Sequence, residues 1–281
     1  MGILSGLEKF GFKSTEKLNL FEDDSAEQKK KETVSQKKEI SEAEMLYDKT
    51  YECPICQSKL KARTMKVGKA KLLNTDIDLR ATYQGIDPLK YDAIVCKRCG
   101  YAALTRYFTA AMTDTQITMI QNAISNNYRG ASLEYRETYT YDEAIENHKM
   151  ALLNAVVKKA KSSEKAYICL KLAWLLRGKA EHDLDTEQDC EAIIKKCKDE
   201  EQQYLAEAKT GFVDAMAHES GNICGMEPIT VEYLSAALTF ETGEFEEAQR
   251  MVSRIIANPS ASSRMKEKAR ELKEEIAKAK K

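Results

Sequence analysis

Four of the eight cysteines fall in two Cys-x-x-Cys pairs, Cys53-Pro54-Ile55-Cys56 and Cys96-Lys97-Arg98-Cys99, with 39 residues between them. No other feature narrows the fold as much. Each turn presents two sulfurs and several backbone N–H groups to one point, so two turns can set four thiolates at the corners of a tetrahedron. The pattern predicts one structural zinc ion held by Cys53, Cys56, Cys96 and Cys99. A Cys-Pro-x-Cys run also occurs in thioredoxin-like redox sites, which need a reactive thiol at a helix N-terminus in a βαβ setting. Here a second pair is present and the flanks read as strands, which favours the metal.

Between the pairs, short alternating runs at 65–73, 76–83 and 91–95 are separated by Gly68, Asn74, Gly85 and Asp87-Pro88. That spacing of turn residues predicts β-hairpins. The expectation is a zinc ribbon over residues 46–112, an antiparallel sheet capped by two knuckles in which the metal substitutes for a core too small to stand alone. The gap exceeds the ~15–20 residues of a minimal four-cysteine site, so an extra strand pair or loop is expected within it.

The residues around the pairs carry a resemblance. Cys53-Pro54-Ile55-Cys56, Asp76-Ile77-Asp78-Leu79-Arg80, Tyr83-Gln84-Gly85-Ile86-Asp87-Pro88-Leu89, Tyr91 and Val95-Cys96-Lys97-Arg98-Cys99-Gly100-Tyr101-Ala102-Ala103 resemble the uncharacterised bacterial family designated domain of unknown function 2225 (DUF2225). The similarity runs from about residue 50 through most of the C-terminal helices. It implies a bacterial protein with a metal-binding ribbon followed by helical repeats, and it brings no activity, substrate or partner.

Residues 113–281 read as helical. Thr113 with Gln116 and Thr140 with Glu143 form capping boxes, and periodic apolar segments follow at 114–137, 140–160, 163–180, 187–219, 229–242, 244–257 and 261–279. Tyr233 to Pro259 fits a tetratricopeptide hairpin, with small Ala236 and Ala248 where helices approach and Gly243 at the turn. Marker alanines Ala144, Ala208 and Ala248 are 64 and 40 residues apart, against about 34 in the regular repeat. The fold class expected is α+β, predominantly α: a small four-cysteine ribbon followed by a tetratricopeptide-like domain with elongated helices or loops.

Residues 1–45 open with Ile3, Leu4, Leu7 and Phe10 at helical spacing and continue as a charged stretch from Glu22 to Glu44, which reads as a flexible tether or solvated helix. No run of ~18 apolar residues and no signal-peptide pattern occurs, and scattered cysteines fit a reducing compartment, so a cytoplasmic protein without a membrane span is expected. Residues 53–107 carry eleven Lys/Arg against four Asp/Glu, whereas 108–281 carry 24 against 29.

Candidate sites follow from these patterns. Trp174, Arg177, Tyr233 and Phe240 fall on first-helix positions that line the groove of a repeat array, which suggests a protein or peptide partner. Lys59, Lys61, Arg63, Lys66, Lys69 and Lys71, with Lys97 and Arg98 on the second knuckle, form a basic set that could contact nucleic-acid phosphates. His148 reads as a core residue, His182 as a loop residue and His218 as lying near a helix end. Cys169, Cys190, Cys197 and Cys224 lack ligand spacing and read as plain thiols. With no phosphate-cradling loop, nucleophile elbow or HExxH helix, the sequence points to a non-enzymatic protein-interaction adaptor, with a nucleic-acid-associated factor as the alternative.

Overall fold

The computed structural model describes residues 41–130, 136–183 and 190–280; the apolar start and nearly all of the charged stretch lie outside them. The chain from Ser41 onward forms one compact unit. Glu42–Met45 is a 3-10 turn closed by a capping box at Ser41, and it buries Met45.

Among the described residues six strands form three separate antiparallel pairs: β1 (Leu46–Glu52) with β2 (Lys59–Met65), β3 (Leu72–Thr75) with β4 (Ala81–Tyr83), and β5 (Ala93–Val95) with β6 (Ala102–Leu104). The expected single sheet is thus three hairpins. The inserted pair is β3–β4, which the long gap between the cysteines had called for. β1 and β5 each run straight into a cysteine turn and return as β2 and β6, with Glu52 opposite Lys59 and Val95 opposite Ala102.

The helices are α1 (Asp114–Ile120), α2 (Tyr141–Val157), α3 (Ser162–Asp183), α4 (Cys190–His218), α5 (Pro228–Glu241), α6 (Phe245–Ala257) and α7 (Ser263–Ala279). Both capping boxes form: Thr113 Oγ1 accepts from Gln116 N–H at 3.3 Å and Thr140 Oγ1 from Glu143 N–H at 3.2 Å. The first helix is shorter than expected. It passes into a π turn at Gln121–Ser125, and the Asn127 carboxamide then donates to the Asn122 and Ala123 carbonyls at 3.4 and 3.0 Å, ending the helix with side-chain hydrogen bonds. Gly243, at φ 85°, turns α5 into α6, and Ala236 and Ala248 are fully buried between them.

The hairpins are fixed onto the helices at several points, two of them beside β5 and β6. Lys171 of α3 reaches Asp92 at 2.6 Å. Asn154 of α2 is buried and donates to the Gly100 carbonyl in the second cysteine turn at 3.1 Å. Around that turn Tyr51, Tyr101, Phe108, Ile120 and Ile124 pack into one cluster with Cys53, Cys96 and Cys99. Tyr51 meets the Phe108 ring edge-on at 5.7 Å.

Candidate functional site

The two cysteine turns are built alike. In the first, Cys53 N–H donates to Ser58 O at 3.0 Å and Gln57 N–H to Cys53 O at 2.8 Å; in the second, Cys96 N–H donates to Tyr101 O at 2.7 Å and Gly100 N–H to Cys96 O at 2.9 Å. Each needs a left-handed residue after its second cysteine, supplied by Gln57 at φ 56° and Gly100 at φ 73°. Backbone N–H groups of Ile55 and Cys56 point at the Cys53 sulfur, and those of Cys99 and Tyr101 at Cys96 and Cys99.

The hairpins bring all four sulfurs within 4.8 Å of one another. Cys53 to Cys99 and Cys56 to Cys96 are both 3.6 Å. A tetrahedral ion with ~2.3 Å metal–sulfur bonds has edges of about 3.8 Å, so the cluster fits a metal with small adjustment. The thiols share protons unequally: hydrogen bonds from Cys53 and then Cys99 hold Cys96 far below the ordinary thiol range, while hydrogen bonding to Cys96 raises Cys53, and hydrogen bonding to Cys53 and then Cys96 raises Cys99, each backed by burial. A divalent cation would remove this competition by displacing the shared protons, so that all four sulfurs bind as thiolates. Sequence reasoning missed Ser58, whose hydroxyl lies 3.0 Å from the Cys56 sulfur and 3.6 Å from that of Cys96.

A second constellation lies where α3, α4 and α5 converge. The β3–β4 connection, Asp76 to Arg80, enters it. Asp78 is fully buried and accepts from Trp174 Nε1 at 2.7 Å, from Arg80 N–H at 3.2 Å and from Arg177 Nη1 at 3.0 Å. Arg80 grips both oxygens of Glu181, at 2.6 and 2.7 Å, and Asp76 at 2.8 Å. Arg177 also reaches Glu201 at 2.6 Å and Glu241 at 3.0 Å. Five carboxylates therefore surround two guanidiniums. Burial, then the negative charge of Asp78, pushes Glu241 up to about 8.

The four expected groove residues are accordingly turned towards the chain itself. Trp174 and Arg177 hold the loop, Tyr233 is 1% exposed, and Phe240 is half-buried in the cluster that also takes Ile77 and Leu79. The signal was present in Asp76-Ile77-Asp78-Leu79-Arg80, whose alternation of charged and apolar residues was read only as strand.

Residues 46–276 match the family described as "Uncharacterized protein conserved in bacteria (DUF2225)". The chain belongs to the DUF2225 family. No match is found among curated proteins or among solved structures.

In this DUF2225 chain the basic residues divide. Arg63 is paired with Asp48 at 3.2 Å and donates to the Glu137 carbonyl, and Lys66 donates to the Glu44 carbonyl at 2.8 Å. Lys59, Lys61, Lys69, Lys71, Lys97 and Arg98 are exposed. His148 is a core residue: fully buried, with Nδ1 2.7 Å from the Ala144 carbonyl, and burial lowers it to about 4. His182 lies in the last turn of α3 rather than in a loop. Cys169, Cys197 and Cys224 are buried thiols, and the Cys190 side chain lies outside the described residues. Among the described residues the four cysteines alone form a group that could hold a metal ion, and no helix is long and apolar enough to cross a membrane.

Proposed function

We propose that this chain is a non-enzymatic interaction adaptor, with one structural zinc ion at Cys53, Cys56, Cys96 and Cys99 and tetratricopeptide-like helical hairpins, α5 and α6 most closely, forming a peptide groove. The grip of Trp174 and Arg177 on Asp78 carries the reading. A buried indole N–H and a guanidinium on a carboxylate, with Glu181 on an arginine two residues later, are the means by which a groove reads an extended Asp-x-Arg segment. The chain supplies that segment itself, so a partner carrying the same pattern would compete with the β3–β4 loop.

Four sulfur donors leave zinc no open position for water, which supports a structural ion over a hydrolytic one. The buried thiols Cys169, Cys197 and Cys224, none in a disulfide, support a reducing cytoplasm.

The test is a fluorescent peptide of residues 74–82 titrated into a variant whose own loop is weakened by Asp78→Asn and Arg80→Gln. Saturable binding that Arg177→Glu removes is the expected result. A folded, zinc-loaded variant that fails to bind the peptide would overturn the groove reading.

The second reading, phosphate contact by the ribbon, is favoured by the acid-free stretch from Cys53 to Thr75, which holds six Lys/Arg. Affinity for RNA or DNA that falls steeply as salt rises would support it, and a flat salt response would remove it.

A further inference from the structure

We propose that the connection between β2 and β3 together with the start of β3, residues 66–73, is a contact surface for anionic lipid. It lies in the stretch from Cys53 to Thr75, which has no Asp or Glu in a chain of formal net charge -1. Lys69 and Lys71 are exposed on the loop, and Lys59 and Lys61 on the adjoining strand. Aliphatic side chains stand among them in solvent: Val67 is 98% exposed, Leu72 52% and Leu73 60%. A single exposed aliphatic residue is ordinary; three within seven residues, one on the connection and two at the start of β3, interleaved with lysines, form a patch.

The loop is a built projection. Met65 and Ala70 anchor its base, half-buried against the Met45, Ile86 and Tyr91 cluster. Lys66 N–H donates to Met45 O at 2.8 Å and Gln84 N–H to Lys71 O at 2.9 Å. Gly68, at φ 75°, turns the tip into open space. Leu72 pairs with Tyr83 and Asn74 with Thr82, so Leu73 is skipped by the ladder. In a regular strand, neighbouring leucines point to opposite faces; this bulge leaves both outside.

The chemistry selects the partner. Single-stranded nucleic acid is held by basic grooves with aromatic rings for base stacking. Residues 66–73 contain no aromatic residue, and the guanidinium of Arg63 is committed to Asp48 and the Glu137 carbonyl. An anionic bilayer instead favours lysines at headgroup level and aliphatic side chains entering the interface. Lys69 and Lys71 beside Val67 and Leu72 supply both, for weak and reversible attachment.

The experiment is cosedimentation of the zinc-loaded full chain with vesicles of phosphatidylcholine containing about one-third phosphatidylserine, beside vesicles of phosphatidylcholine alone. The expected result is selective binding to the anionic vesicles, lost by more than about tenfold in both Lys69→Glu/Lys71→Glu and Val67→Asn/Leu72→Asn. Leu153→Asn/Val156→Asn, which removes exposed apolar groups from α2, should leave binding unchanged. Val67→Asn alone changes a side chain that touches almost nothing, so it keeps the test valid if a double variant misfolds. Failure to bind anionic vesicles, equal binding to both vesicle types, or binding indifferent to Val67→Asn would overturn the proposal. So would binding to a short single-stranded RNA, in place of vesicles, that the lysine variant weakens and the valine variant does not.

Discussion

The indole Nε1 of Trp174 donates to Oδ2 of Asp78 at 2.7 Å across 96 residues of sequence. This bond and the Arg177 contact place a fully buried carboxylate at the junction of the β3–β4 hairpin and the helices. Asp78→Asn removes the charge opposite Arg177 and should cost about 3 kcal/mol. Trp174→Phe leaves Asp78 short of one donor and should cost about 1–3 kcal/mol. Urea unfolding of the metal-loaded protein measures both, and wild-type stability in Asp78→Asn would show that the loop is not held by this network.

Burial of Glu241, with the negative charge of Asp78 behind it, gives the network a pH response. Glu241, ordinarily at 4.5, is raised to about 8 in the fold. Its contribution is therefore full below 4.5 and lost as pH rises through about 8, a change on the order of a few kcal/mol. Glu241→Gln should flatten that part of the stability curve and leave the variant more stable than wild type above pH 8. Chemical unfolding across the range measures the difference between the two curves.

His148 responds in the opposite direction. Burial lowers it from 6.5 to about 4, so the fold excludes a proton that the unfolded chain takes up. Stability is unaffected by this group above 6.5 and falls by on the order of 3 kcal/mol as pH drops to 4. His148→Leu should remove that increment from the acid limb, and an unchanged acid limb would contradict the buried neutral imidazole.

Removing the metal should loosen more than the two turns, because Phe108, Ile120 and Ile124 pack in the same cluster as the cysteines. Cys99→Ser is expected to weaken metal affinity by more than about 100-fold. Treatment with a chelator should lower the melting midpoint and expose apolar surface to a reporter dye. Stoichiometric zinc retained by Cys53→Ser/Cys96→Ser would sink the ligand assignment.

The two left-handed positions make a matched pair. A Cβ on Gly100 would meet Tyr128 Cγ at 2.7 Å as well as adopt φ 73°, so Gly100→Ala should cost about 1–3 kcal/mol. Gln57→Gly relieves φ 56° in the first turn and should be neutral or stabilising by up to about 1 kcal/mol. Thermal melts of the two variants should move in opposite directions or differ by that gap.

The cysteine cluster was legible because ligand spacing is local: each pair is written in four consecutive residues. Helix starts at Thr113 and Thr140 were legible for the same reason, since a capping box is a three-residue offset. What the sequence concealed is non-local. Arg177 and Trp174 stood out as groove residues, but their partner Asp78 lies in another element, and nothing in either segment names the other. The basic residues likewise looked alike in sequence; only the fold brings Asp48 and the Glu137 carbonyl to Arg63 and the Glu44 carbonyl to Lys66.

The insertion of Asp76 to Arg80 between the helices also sets an order of events at the ribosome. Asp78 is made 99 residues before Arg177 and 163 before Glu241. At about 5–20 residues per second, all four cysteines are made roughly 4–16 seconds before Arg177, the cation on the helices that receive the loop. The cysteine turns can therefore close before Asp78 is buried, and a nascent chain interrupted before α3 would carry closed turns with Asp78 still lacking Trp174 and Arg177, a form that cellular quality control could tell from the finished protein.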